Sequence, residues 1–130
     1  MKIYFYKYQG TGNDFIIIDD RENVFPINQV LIERLCDRRF GIGADGLILL
    51  QNELGYDFKM VYFNSDGNES TMCGNGGRCI AKFSHDIGIS YKYNCFLAID
   101  GPHDFSITKD GLVKLKMKDI NAIEKAGDDY

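Results

Sequence analysis

Apolar residues along this chain fall into short blocks separated by glycine, asparagine and aspartate, with helical spacing in only two places. Lys2 to Tyr8 is rich in aromatics and isoleucine and predicts a strand. Asp14 to Asp19 predicts a second strand with a continuous apolar centre. Gly10-Thr11-Gly12-Asn13 between them predicts a hairpin turn longer than the tightest type. Leu47 to Leu50 and Asp57 to Asn64 read as strands, as do Tyr93 to Ile99, Asp104 to Lys109 and Leu112 to Lys118. Asp110-Gly111 is a two-residue hairpin signal. The helical segments are Gln29 to Arg38, with Asn28 as cap and Leu31 and Leu35 on one face, and Gly74 to about Ile87, with Gly88 as its stop. In the second helix Ile80, Phe83 and Ile87 share a face. Strands and helices in this order, joined by tight turns, predict an α+β fold with mostly antiparallel neighbours rather than a doubly wound parallel sheet.

The length of 130 residues suits one domain with a real core, and a composition 45% hydrophobic and 26% charged is that of a soluble globular protein. Net charge is -4 and no run of Lys and Arg exceeds two, which makes nucleic acid and anionic membranes poor partners. No apolar run is long enough to span a membrane, and Met1 to Tyr6 lacks the features of a signal peptide. Cys36, Cys73, Cys79 and Cys95 form no CxxC pair and there are two histidines, so a zinc site is not expected. The expectation is reduced thiols in the cytoplasm, with Cys36, Cys79 and Cys95 acting as small apolar residues.

Cys73 differs from the others in its setting, Asn64-Ser65-Asp66-Gly67-Asn68-Glu69-Ser70-Thr71-Met72-Cys73-Gly74-Asn75-Gly76-Gly77-Arg78-Cys79. A thiol at the start of a helix meets unpaired N–H groups and a partial positive charge, both of which favour the thiolate. Gly74, Gly76 and Gly77 cost helix propensity, roughly 1 kcal/mol each, and let a ligand approach the backbone. The same N–H groups can hold a carboxylate, and the Asn64 and Asn75 amides can orient an amino-acid-like ligand. Asp14 and Asp45 are expected to orient loops by accepting backbone N–H bonds, and Arg78 to pair with Glu69 or Asp66. His85 and His103 read as surface or packing residues, and Tyr4, Phe5, Tyr6 and Tyr8 as sheet-stabilising aromatics.

Three stretches in this order resemble the N-terminal half of diaminopimelate epimerases: Gln9-Gly10-Thr11-Gly12-Asn13-Asp14-Phe15, Arg39-Phe40-Gly41-Ile42-Gly43-Ala44-Asp45-Gly46, and Asn64 through Cys79. The resemblance implies a roll in which the sheet curls around a central helix beginning near Gly74. It also implies a cofactor-free isomerase, with no metal, that interconverts LL- and meso-diaminopimelate in lysine and peptidoglycan-precursor synthesis. Two cysteines on opposite faces of the α-carbon exchange the roles of thiolate base and thiol acid. Cys73 matches the first cysteine, and Asn13, Asn64, Gly74 and Asn75 match substrate contacts. Some relatives carry a substrate-touching glutamine where this chain has Gly46, so that contact is not carried over. Proline racemase-like enzymes share the thiol in a glycine-rich segment but typically have His where this chain has Asn75.

No second Cys-Gly-rich motif is present. Cys79 cannot oppose Cys73, because six helical residues rise about 9 Å and turn by six steps of about 100° onto another face. The expectation is therefore an N-terminal domain over residues 1–118 and the start of an interdomain connection over 119–130. The C-terminal domain with the second cysteine would be a missing partner, and the fragment inactive alone. A non-catalytic module that binds a small anion, or that forms a homodimer through its exposed substrate-side face, is the competing expectation.

Overall fold

The computed structural model describes residues 2–71 and 74–116. Among the described residues the order is β1 (Tyr6–Gly10), β2 (Asn13–Asp19), α1 (Gln29–Cys36), β3 (Gly46–Gln51), β4 (Phe58–Asn64), α2 (Gly74–Asp86), β5 (Cys95–Ala98), β6 (Gly101–Ile107) and β7 (Val113–Leu115). The strands lie side by side in chain order. β1–β2, β3–β4, β5–β6 and β6–β7 pair antiparallel, whereas β2–β3 and β4–β5 pair parallel. Each parallel pair is bridged by a helix, α1 for the first and α2 for the second, because parallel neighbours need a long crossover. The α+β expectation holds, with two crossover units set into an antiparallel-rich sheet.

The continuous apolar blocks follow from burial on both faces. Phe15, Ile17, Ile48, Leu50, Phe58 and Met60 face one core with Ile80, Ala81 and Phe83 of α2. Ile16, Ile18, Leu47, Leu49, Val61 and Phe63 face the other with Ile32 and Cys36 of α1. The period-two alternation of a strand puts neighbouring apolar residues on opposite sides, and here both sides are covered. α2 touches every strand of the sheet except β5 closely, so the sheet curls around it as expected. The Asn28 side chain accepts the Leu31 N–H at 3.0 Å and caps α1 as predicted. Gly88, at φ +81°, ends α2, and the Ile89 N–H closes on the Ser84 carbonyl at 3.0 Å.

Two turns depart from expectation. The first hairpin has the tightest loop, not a longer one: Gly10 pairs with Asn13, and Thr11 and Gly12 take φ +53° and +87°. Both central residues are left-handed, as the tightest twisted hairpin turn requires. Asn13 thus lies at the head of β2 rather than in the turn. Thr11 is a β-branched residue held in a costly conformation, and Thr11→Asn is expected to raise the free energy of unfolding by about 1 kcal/mol, read from the denaturant midpoint. In the second turn Gly111 donates to the Thr108 carbonyl and Thr108 to the Leu112 carbonyl. Only Gly111 has positive φ, so Lys109-Asp110-Gly111 is a three-residue loop rather than the predicted two-residue one. β7 covers Val113–Leu115 of the predicted Leu112 to Lys118, and residues 117–118 lie outside the described residues, as does 119–130.

Candidate functional site

β2 begins at Asn13, β3 begins at Gly46 opposite Phe15, and β4 ends at Asn64 opposite Gly46. These strand termini share one end of the sheet. α2 starts at Gly74, as predicted, so its first turn brings Gly74 and Asn75 to the chain that passes this end. Met72 and Cys73 lie outside the described residues, and the assignment of Cys73 rests on its place in the sequence, one residue before α2.

The described part of the site is a line of directed hydrogen bonds. Arg78 donates to Asn75 Oδ1 at 2.7 Å, and Asn75 Nδ2 donates to Asn13 Oδ1 at 2.6 Å. Asn13 Nδ2 donates to Asp45 Oδ2 at 3.1 Å, and Arg38 donates to Asp45 Oδ1 at 3.1 Å. The Arg78 guanidinium thus serves Asn75, one turn before it in the same helix, instead of the expected Glu69 or Asp66. Asn64 stands apart from this line. Its backbone closes the turn to Gly67 and Asn68, with an N–H to the Asn68 carbonyl at 2.9 Å, and its exposed side chain remains at the sheet end. Asn13 and Asn75 are brought together; Asn64 shares their end of the fold without joining their hydrogen bonds.

Asp14 and Asp45 orient loops, as the sequence suggests. Asp45 Oδ2 accepts the Asp14 N–H at 3.2 Å, and Asp14 Oδ1 accepts the Asp45 N–H at 3.1 Å. Arg38, the last residue of the first predicted helix, grips Asp14 at 2.7 and 3.1 Å, and Lys7 adds a contact to Asp14 at 3.1 Å. The Arg38 guanidinium holds the Asp14 carboxyl well below the usual carboxylate range. The Asn13 amide lowers the Asp45 carboxyl from its ordinary value, with help from the Asp14 N–H and Arg38. Carboxyls that titrate lower when folded stabilise above their ordinary value of 3.8 and lose that contribution as pH falls through the folded value. Arg38→Met is therefore expected to lower the melting temperature at neutral pH, with a gap that narrows below about pH 4 and shrinks in high salt. Thermal melts across pH check this.

The glycine loop of the second motif builds the support. Ile42 and Gly43 donate to the Leu35 carbonyl and Ala44 to the Cys36 carbonyl, so the loop folds back over the end of α1 and delivers Asp45 to Asn13. A Cβ at Gly41 would lie 2.0 Å from the Arg34 carbonyl oxygen. At Gly46 a Cβ would meet the Phe63 carbonyl and the Tyr62 ring at 2.8 Å, so this backbone leaves no room for a side chain there.

Two of the remaining thiols, Cys36 and Cys79, are placed as core, whereas Cys95 lies outside both cores. Cys36 and Cys79 are buried, Cys95 is half-buried in β5, and burial pushes the Cys36 thiol up to about 11 and raises Cys95. His103 is buried against the Phe96 ring and meets Asp100 at 2.8 Å, whereas His85 is exposed. Tyr6 and Tyr8 set their rings against Phe83 of α2. No group of metal-ligating side chains exists among the described residues. None of the described helices is long and apolar enough to cross a membrane.

The sequence pattern of the diaminopimelate epimerase family matches residues 5–125. The chain belongs to the diaminopimelate epimerase family. It is 58% identical over 124 residues to the diaminopimelate epimerase of Flavobacterium psychrophilum, covering 95% of this chain and 48% of that protein. With the Chlorobaculum tepidum enzyme it shares 46% identity over 110 residues, or 83% of this chain and 43% of that one. The chain thus spans about half the length of the diaminopimelate epimerases it matches. Solved structures agree on the fold. A Bacillus anthracis phenazine biosynthesis protein of the PhzF family superposes with a TM-score of 0.56 at 18% identity, over 87% of this chain and 39% of that one. A methylitaconate-delta-isomerase gives 0.58 at 15% identity, over 88% and 63%.

Proposed function

We propose that this chain supplies one half of the catalytic site of a cofactor-independent diaminopimelate epimerase that interconverts LL- and meso-diaminopimelate. Cys73 is the thiol on one face of the substrate α-carbon. Asn13, Asn64, Gly74 and Asn75 hold the substrate. The opposing thiol comes from a C-terminal half that the relatives' extra length would contain. The observation that carries the reading is the 2.6 Å bond from Asn75 to Asn13, which joins two motifs 62 residues apart at a residue two positions after Cys73 in the sequence.

The chemistry balances without a redox partner. The Cys73 thiolate takes the α-proton and becomes a thiol, while the electron pair stays on the α-carbon and its carboxylate. The opposing thiol returns a proton to the other face and is left as thiolate. The reverse direction exchanges the two roles. An α-proton is very weakly acidic, so fixed N–H donors on the carboxylate must stabilise the charge that develops. The reaction requires reduced thiols, which suits the cytoplasm.

The test joins residues 1–130 to the C-terminal half of the Flavobacterium psychrophilum relative and follows conversion of LL- to meso-diaminopimelate. Conversion that vanishes on loss of Cys73 supports the reading. A well-folded hybrid that binds but does not convert the substrate, or converts it equally well without Cys73, overturns it.

A further inference from the structure

The space above the Gly46 backbone is taken by a side chain from the next strand. A Cβ at Gly46 would lie 2.8 Å from the Tyr62 ring and 3.2 Å from the Tyr62 hydroxyl oxygen. Yet Tyr62 itself pairs with Ile48, whereas Gly46 pairs with Asn64. The Tyr62 side chain therefore leans two residues along the sheet, toward the end where β3 begins and β4 finishes. It also leans across β3 toward β2, where its ring meets the Phe15 ring edge-on at 6.0 Å.

This is the face that α2 covers. Tyr62 packs against the core that holds Ile80 and Phe83. Alternation along the strands puts Asn13, Gly46, Tyr62 and Asn64 on that face, and the bond from Asn75 of α2 to Asn13 fixes it for β2. Among the described residues, the face opens at the site end. Along β4, Phe58 and Met60 are 0% and 2% exposed, Tyr62 is half-buried and Asn64 is exposed. Along β2, Ile17 and Phe15 are buried and Asn13 is half-buried. The Tyr62 hydroxyl thus stands where the covered face gives way to the open one, in the row from Asn13 to Asn64.

Core packing alone asks for no hydroxyl there, since phenylalanine would fill the same volume without a polar tip. We infer that Tyr62 is a further substrate-binding residue of this site, its hydroxyl reaching over Gly46 to hydrogen-bond an amino-acid end of diaminopimelate. This rests on the epimerase reading for the identity of the substrate. A phenol is neutral near pH 7 and can donate to a carboxylate or accept from an ammonium. Gly46 serves the same contact by leaving the ring its place.

The experiment compares Tyr62→Phe with the parent in the joined enzyme described above. The variant keeps the ring over Gly46 and against Phe15 and removes the hydroxyl alone. Loss of a hydrogen bond to a charged group is expected to raise KM for diaminopimelate about tenfold or more. The kcat should stay within about threefold, and the melting temperature should not change. Contact is read directly from the Tyr62 ring carbon that bears the hydroxyl, isotope-labelled and assigned by its absence from Tyr62→Phe. Its resonance is expected to shift as diaminopimelate is titrated into the parent. An unchanged KM, a loss carried by kcat together with a lowered melting temperature, or a Tyr62 resonance unmoved at saturating substrate would each overturn the inference and leave the epimerase reading standing. If the parent binds diaminopimelate without converting it, that reading fails, and the same resonance with the ratio of dissociation constants decides Tyr62 by itself. A parent that neither binds nor converts diaminopimelate overturns both.

Discussion

Cys73→Ala in the joined enzyme is expected to lower the epimerisation rate by about 10²–10⁴-fold, the range over which a positioned proton-transfer group contributes. The loss should fall on kcat, because Asn13, Asn64 and Asn75 still hold the carboxylate. Cys73→Ser should not rescue, since a hydroxyl ionises far less readily than a thiol and cannot serve as the base. None of the described cysteines can substitute. Cys36 is the buried last residue of α1 with its thiol pushed up to about 11, Cys79 is buried in α2, and burial raises the Cys95 thiol in β5. The same contrast predicts the pattern of alkylation in the native chain: Cys73 modified first, with a pH midpoint below that of a free thiol, and Cys36 and Cys79 protected until unfolding. Equal rates at all four cysteines would remove the ground for treating Cys73 as special.

Phe83→Ala should cost about 3–5 kcal/mol of stability, enough to abolish folding if the parent is only marginally stable. Phe83 is 0% exposed and stands on the face of α2 around which the sheet curls. Its ring meets Tyr6 at 5.3 Å and Tyr8 at 5.6 Å across β1. Truncation would leave a cavity between helix and sheet that neither rigid neighbour can close, and would loosen the strand that leads into Asn13. Phe40→Ala provides the contrast: that ring is 79% exposed, so the change should stay within about 0.5 kcal/mol. Urea unfolding of both variants measures the difference, and similar midpoints would contradict the two-core description.

Much of this fold is legible in the amino-acid sequence, for physical reasons. Apolar blocks bounded by glycine and asparagine mark strands, and the helical spacing of Ile80 and Phe83 marks the face of α2 that is buried. The cap at Asn28 and the stop at Gly88 are local chemistry, and local sequence reveals both. What stays hidden is non-local or locally disguised. A β-branched threonine in a left-handed conformation is rare enough that the first turn reads as longer than it is. Arg38 finds its partners 24 and 7 residues away, through a loop that folds back on α1, and no spacing rule announces that. Arg78 has carboxylates close by in sequence, but it takes Asn75, one helical turn before it. The motif residues are visible as candidates; the direction of the hydrogen bonds between them is not, because it is set by Asp45 and Arg78 at the two ends.

The central claim is that these residues form one half of a two-thiol site, and diaminopimelate turnover tests it most directly. Conversion of LL- to meso-diaminopimelate should be absent from the purified 130-residue chain and appear when the C-terminal half of the Flavobacterium psychrophilum relative is joined to it. Substantial conversion by the 130-residue chain alone, abolished by Cys73→Ala, would contradict the account.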